Sequence, residues 1–127
     1  MRIRSGAIIE LDGKFALIKR VRNNHEYYVF PGGGMEAGET PEVAAIREIK
    51  EELGIDIEIE MLLTTISFNN GLQYYFQAKY IKGVFGTGEG EEFQHTNSER
   101  GTYEPVLMKK ENFKLHDIRP SEILAFF

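Results

Sequence analysis

The chain has 127 residues, 42% of them hydrophobic and 28% charged, which suits one domain with a single core and argues against disorder or a second domain. The formal net charge is −5, and six acids (Glu36, Glu39, Glu42, Glu48, Glu51, Glu52) against two bases (Arg47, Lys50) place −4 of it between residues 36 and 52. That cluster repels polyanions unless a cation intervenes, which disfavours general nucleic-acid binding, and the absence of cysteine excludes disulfides and thiolate metal sites.

Residues 3–11 are apolar and β-branched and predict a strand; Asp12-Gly13 is a hairpin turn signal, and residues 14–21 form the partner strand. No apolar run in this region is long enough for a signal peptide or a membrane span, so a cytoplasmic location is expected. Residues 22–26 are polar and predict a loop. Residues 27–30 read as a short extended segment ended by Pro31, whose ring disfavours helix at Phe30. In Gly32, Gly33 and Gly34 no regular element is expected.

The clearest helix spans residues 40–53. Thr40 can cap it, Pro41 suits its first position, Glu42 suits the positive end of its dipole, and Gly54 stops it. Residues 55–67 and 73–81 predict two strands joined by Asn69-Asn70-Gly71. Residues 83–101 are glycine-rich and polar and predict a long loop, residues 102–108 another strand, and residues 120–127 a short final helix. Strands flanking a helix, with hairpins before and after, imply an α/β or α+β domain with a mixed sheet.

On a helical wheel, at ~100° per residue, Ile46, Ile49 and Leu53 fall within roughly 60° of one another. Glu48, Glu51 and Glu52 fall on the opposite side, so the pattern predicts one buried face and one solvated face of three carboxylates. Like charges at these spacings destabilise a helix by ~0.2–0.5 kcal/mol per pair, a penalty that reverses if a hard divalent cation binds them. An exposed acidic face is common by itself. The glycine-rich stretch 33–38 before it adds a backbone that can approach a ligand, with Glu36 and Glu39 close by.

The stretch GGMEAGETPEVAAIREIKEELGI, residues 33–55, resembles the signature of the Nudix hydrolase family: a glycine, five residues, glutamate, seven residues, then Arg-Glu-apolar-any-Glu-Glu-any-Gly-apolar. The fixed positions are filled by Gly33, Glu39, Arg47, Glu48, Ile49, Glu51, Glu52, Gly54 and Ile55. The preceding YYVFPGG also resembles the family's aromatic-any-apolar-Pro-Gly-Gly segment, with tyrosine where tryptophan is frequent. The resemblance implies a single Nudix domain over residues 1–127, an α/β/α sandwich with a mixed central sheet. It implies hydrolysis of a diphosphate bond assisted by Mg2+ or Mn2+, with Glu48, Glu51 and Glu52 as metal ligands and the Gly33 carbonyl as a further one. Arg47 then serves the site by pairing with a carboxylate such as Glu39, which makes Glu39 and Gly54 structural. The general base implied is Glu48 or Glu51, or a distant-loop glutamate, for which Glu91 and Glu92 are the candidates.

Outside the box the substrate candidates are Arg20 and Arg22 at the end of the second strand, Arg4, and aromatic rings among Tyr28, Phe68, Tyr74, Tyr75 and Phe76. Each has a competing reading as surface charge or core, and alternation along residues 74–80 is expected to bury about half of those rings. His25, His95 and His116 lack ligand spacing. The substrate class implied is a nucleoside diphosphate linked to another group, nucleoside triphosphates first. The alternatives are a dinucleoside polyphosphate hydrolase (Tyr74 or Tyr75 lies near the tyrosine position of such members), a nucleotide-sensing domain that does not hydrolyse, and an isoprenoid diphosphate isomerase, which the lack of cysteine disfavours. A monomer or homodimer without nucleic-acid or membrane partners is expected.

Overall fold

The computed structural model describes residues 1–89 and 101–127. Strand β1 (Arg2–Leu11) turns through Asp12 and Gly13 into β2 (Lys14–Arg22), and both turn residues have positive φ, 52° and 78°. The two strands pair only beside that turn, at Glu10↔Phe15 and Leu11↔Lys14, and then part. Asn23 and Asn24 follow with φ of 53° and 63°, so the polar loop expected up to Glu26 is a two-residue turn. Asparagine tolerates this left-handed conformation, which lets β3 begin at once and span His25–Val29.

Beyond the fork, β1 runs parallel to β6 (Gly71–Gly83) and carries β4 (Gly32–Gly34) along its other edge. Strand β2 instead pairs with β3 and with β7 (Glu104–Met108). Strand β5 (Ile55–Phe68) pairs antiparallel with β6 at one edge, and β8 (Ile118–Arg119) lies parallel to β3 at the other. The order β5-β6-β1-β2-β3-β8 is a mixed sheet.

The existence of β4 corrects the expectation that the three glycines would form no regular element. A Cβ on Gly32 would lie 2.5 Å from the Ser5 carbonyl oxygen and 2.6 Å from Gly6 Cα. Glycine here is what permits backbone-to-backbone packing against β1.

Helix α1 (Pro41–Leu53) covers one face of the sheet, where Ile49 and Leu53 pack with Ala7, Ile9, Ala16, Ile18, Ile55 and Ile57. Two 3-10 helices, Lys110–Leu115 and Ser121–Phe126, serve the other face, where Phe113 and Ile123 join Ile8, Leu17, Tyr28, Phe30 and Tyr75. The fold is therefore α/β, a mixed sheet between two layers. The final helix expected over residues 120–127 is present in 3-10 form. The turn at residues 110–115 and the two-residue β8 carried no sequence signal, because neither is long enough to show a period. Strand β6 is covered on both faces at its middle, where it buries consecutive rings, Tyr75 and Phe76, while Gln77, Lys79 and Ile81 are exposed.

Candidate active site

Thr40 Oγ1 accepts the Val43 N–H at 3.2 Å, and Gly54, at φ 78°, closes α1 by donating its N–H to the Lys50 carbonyl. The ends of the helix are thus set by local chemistry, but its faces are not those of the sequence wheel. Ile46 is 37% exposed, whereas Glu52 is only 5% exposed and, with Ser5, one of two buried polar side chains among the described residues. The buried arc runs from Ala44 through Glu48 and Glu52 to Ile49 and Leu53. The wheel assumed one covering surface, the apolar sheet. Strand β4 is a second one, and its glycines leave room for carboxylates.

Two contacts define that room. Glu52 Oε1 accepts the Gly32 N–H at 2.8 Å. A Cβ on Gly33 would lie 2.7 Å from Glu48 Oε1 and closer still to the rest of the carboxylate. No positive φ is needed at Gly33, so its requirement is space alone. The backbone of Gly33 and the carboxylates of Glu48 and Glu52 are therefore neighbours.

Arg47 crosses from the helix to the loop. Its Nε and Nη2 donate to the two oxygens of Glu39 at 2.7 and 2.9 Å, and Nη2 also donates to the Gly34 carbonyl at 2.8 Å. Nη1 reaches Glu48 at 2.9 Å and Glu51 at 3.2 Å, with Glu36 at 3.7 Å. The bidentate pair with Arg47, helped by the Glu36 backbone N–H, holds the Glu39 carboxyl down to about 2, and the same carboxylates raise Arg47 above the usual guanidinium range. Among the described residues no three acids are grouped closely enough to hold a metal ion, and Arg47 Nη1 donates to both Glu48 and Glu51. The oxygens gathered here are of carboxylate and carbonyl type, the chemistry that suits a hard divalent cation, and a side chain at Gly33 would run into the Glu48 carboxylate.

The remaining candidates lie around this centre at different distances. Arg4 pairs in register with Gly34, beside the glycine strand. Alternation along β2 places Arg20 and Arg22 on the sheet face of Ile18, the α1 face. Arg20 Nε donates to the Thr102 carbonyl at 2.9 Å, and its guanidinium lies 3.7 Å over the Tyr103 ring. Tyr27, beside it, has Arg119 4.0 Å over its ring, and Arg119 in turn pairs with Asp117 at 2.9 Å. Tyr28 points the other way, buried in the second core cluster with its hydroxyl donating to Glu26 at 2.7 Å. Glu91 and Glu92 lie outside the described residues. The chain leading toward them passes over the end of α1: Gly86 N–H donates to the Leu53 carbonyl at 2.9 Å, and Gly88 is packed against the carbonyls of Glu51 and Glu52.

Sequence reasoning passed over Ser5 and Gly32. Ser5 reads as a small residue in an alternating strand, yet it is fully buried, its Oγ donates to the Pro41 carbonyl at 2.5 Å, and its backbone is in register with Gly33.

Comparisons with known proteins agree with this architecture. An ADP-ribose pyrophosphatase of Methanocaldococcus jannaschii is 48% identical over 61 residues, 47% of this chain and 36% of that protein. An 8-oxo-dGTP diphosphatase of Proteus vulgaris is 36% identical over 69 residues, 53% of this chain and 62% of that one, so both alignments span less than two thirds of the relative. A CTP pyrophosphohydrolase of Escherichia coli is 32% identical over 91 residues, 69% of this chain and 67% of its own length. The crystal structure of a MutT NUDIX hydrolase from Burkholderia pseudomallei superposes with a TM-score of 0.72 at 25% identity, covering 98% of this chain and 95% of that one. A NUDIX hydrolase from Nitrosomonas europaea gives 0.72 at 18% identity, with 98% and 84% coverage, a likeness of fold. The family model of the NUDIX domain matches residues 1–123, and with the glycine strand, the capped helix and the arginine-tied carboxylates in place, the chain belongs to the Nudix family.

Proposed function

We propose that this chain hydrolyses a diphosphate bond in a nucleoside diphosphate linked to another group, with nucleoside triphosphates as the leading substrate class. The observation that carries the reading is the seating of Glu48 and Glu52 against the backbone of Gly33 and Gly32, with Arg47 neutralising the outer carboxylates. A surface salt-bridge array has no need of a buried glutamate beside two glycines.

Glu48, Glu51, Glu52 and the Gly33 carbonyl would hold Mg2+ or Mn2+, which when bound neutralises phosphate charge and acidifies a coordinated water. In the reaction a water oxygen forms a new P–O bond, the bridging P–O bond breaks, and the leaving phosphate departs with the bonding pair. The water proton passes to a carboxylate, Glu48 or Glu51, or to Glu91 or Glu92 if the preceding chain brings them in. Arg47 keeps the loop on the helix through Glu39 while its Nη1 holds the carboxylates of Glu48 and Glu51 in place. Arg20, Arg22 and Arg4 contribute positive charge along the approach of the phosphates.

The names of the relatives support the substrate class: ADP-ribose, 8-oxo-dGTP and CTP share a nucleoside with a phosphoanhydride. The test is a panel of nucleoside triphosphates, nucleoside diphosphate sugars and dinucleoside polyphosphates, scored for phosphate and pyrophosphate release with Mg2+ and with chelator. Chelator-sensitive turnover of at least one compound is expected. Tight binding without turnover across the panel replaces this reading with a nucleotide sensor. A cytoplasmic setting belongs to the same proposal; no helix among the described residues is long and apolar enough to cross a membrane.

A further inference from the structure

The box has two parts that must keep register: the glycine strand, and a helix that starts seven residues after its last glycine, Gly34. Between them run residues 35–40, of which 36–38 are exposed and 38 is a glycine at φ 85°. Such a connection does not by itself fix where the helix lies against the strand. Arg47 ties the middle of the helix to the loop through long, partly exposed side chains. The start of the helix needs another tie.

We infer that Ser5 is a positioning residue that locks the helix start to the glycine strand, and so sets the distance from the Gly32–Gly33 backbone to Glu48 and Glu52. The backbone of Ser5 is in register with Gly33, and its carbonyl presses on Gly32. Its side chain, fully buried, donates to the Pro41 carbonyl in the first turn of α1. One residue therefore touches both parts that the exposed loop leaves independent. The neighbours on the same face of β1, Ala7 and Ile9, are apolar, so nothing about burial favours a hydroxyl at position 5. A buried hydroxyl in an apolar stripe needs an acceptor, and the one it has is the carbonyl that orients the helix. Because α1 is rigid, a rotation at Pro41 reappears at Glu48 and Glu52 two and three turns later.

The inference rests on the proposed hydrolytic site for its consequence but not for its geometry, and the test separates the two. Ser5→Ala and Ser5→Thr are compared with the parent in three measurements: Mn2+ affinity by electron paramagnetic resonance, kcat and KM on whichever nucleotide the panel identifies, and hydrogen exchange of the Gly32 amide in metal-free protein. Exchange at Gly32 is referred to that at Leu17 in the core, which cancels a general loss of stability. Ser5→Ala should exchange about tenfold faster at Gly32 relative to Leu17, bind Mn2+ about five- to tenfold more weakly, and lose kcat with KM unchanged within about twofold, as expected for one lost hydrogen bond acting through position. Ser5→Thr, which keeps the hydroxyl, should restore the exchange ratio. A variant that melts lower but keeps the parental exchange ratio and Mn2+ affinity overturns the inference and leaves Ser5 as packing alone. If the parent protein binds no Mn2+ and hydrolyses nothing, the site proposal fails while the exchange ratio still decides the role of Ser5.

Discussion

Replacing Gly33 by alanine separates fold from chemistry. The backbone of Gly33 is one that any residue can adopt, so the added methyl introduces no φ strain. The three atoms nearest to it all belong to the Glu48 carboxylate: Oε1 at 2.7 Å, with Oε2 and Cδ nearer, where ordinary contact begins at 3.4 Å. The carboxylate is the far end of a flexible side chain, bonded to Arg47 Nη1 at 2.9 Å, and a retreat of about 1 Å relieves the clash through one off-rotamer torsion, at about 0.5–1.5 kcal/mol. That corresponds to a fall in Tm of roughly 2–6 °C for a chain of this size. The same displacement at a group that holds or activates the reacting atoms lowers kcat by about 100-fold. The assay is paired: calorimetric Tm, and nucleotide turnover under saturating Mg2+. Gly32→Ala is the control, because its methyl would strike the backbone at Ser5 and Gly6, which cannot rotate away, so its main effect should be on stability, about 3 kcal/mol or more. The reasoning is refuted if Gly33→Ala retains parental turnover, or if it is destabilised as severely as Gly32→Ala.

Glu52→Gln keeps an oxygen to accept the Gly32 N–H but loses the charge; the variant should remain folded by circular dichroism while turnover falls more than about 100-fold, and an active Glu52→Gln protein removes Glu52 from the metal site. The Arg47–Glu39 pair predicts acid sensitivity. The folded-state carboxyl of Glu39 lies near 2 against an ordinary 4.5, so its contribution is present above pH 4.5 and is lost as pH falls toward 2. Asp117, held near 2 by Arg119 and then by His25, acts with the same sign over a window starting at its ordinary 3.8. Urea midpoints measured across that range should fall with pH in the parent and fall less steeply in Glu39→Gln; identical slopes would break the link between this pair and acid unfolding.

The sequence carried most of what depends on local chemistry. Thr40, Pro41 and Gly54 announce a helix whose ends are where they imply, and Asp12-Gly13 announces its hairpin. The spacing from Gly33 to Ile55 picked out the segment in which Arg47 and its carboxylate partners cluster. What the sequence could not convey was what lies against the helix. A wheel assigns faces to apolar core and water, but α1 has a third neighbour, a strand of glycine, and so Glu52 is buried while Ile46 is partly exposed. Gly32–Gly34 read as absence of structure because glycine lacks every side-chain signal of a strand, although that lack is what permits pairing with β1. Ser5 was passed over for a similar reason: its partner is 36 residues away, beyond the reach of any local pattern.

The fork between β1 and β2 divides the sheet into two leaves that meet through a short ladder. One leaf, β1 with β4, β5 and β6, carries the arginine–carboxylate centre and most of the seat of helix α1, which Ala16 and Ile18 of β2 complete. The other, β2 with β3, β7 and β8, carries Arg20, Tyr27, Tyr103 and Arg119 and shares only two residue pairs with the first across the ladder. Arg20, Arg22, Tyr27, Tyr103 and Arg119 lie outside the core cluster that Ala16 and Ile18 of β2 form with Ile49 and Leu53, so substitutions at them should leave Gly33 and Glu48 in place. A library confined to positions 20, 22, 27, 103 and 119 therefore tests whether the second leaf sets the substrate preference of the hydrolysis proposed above.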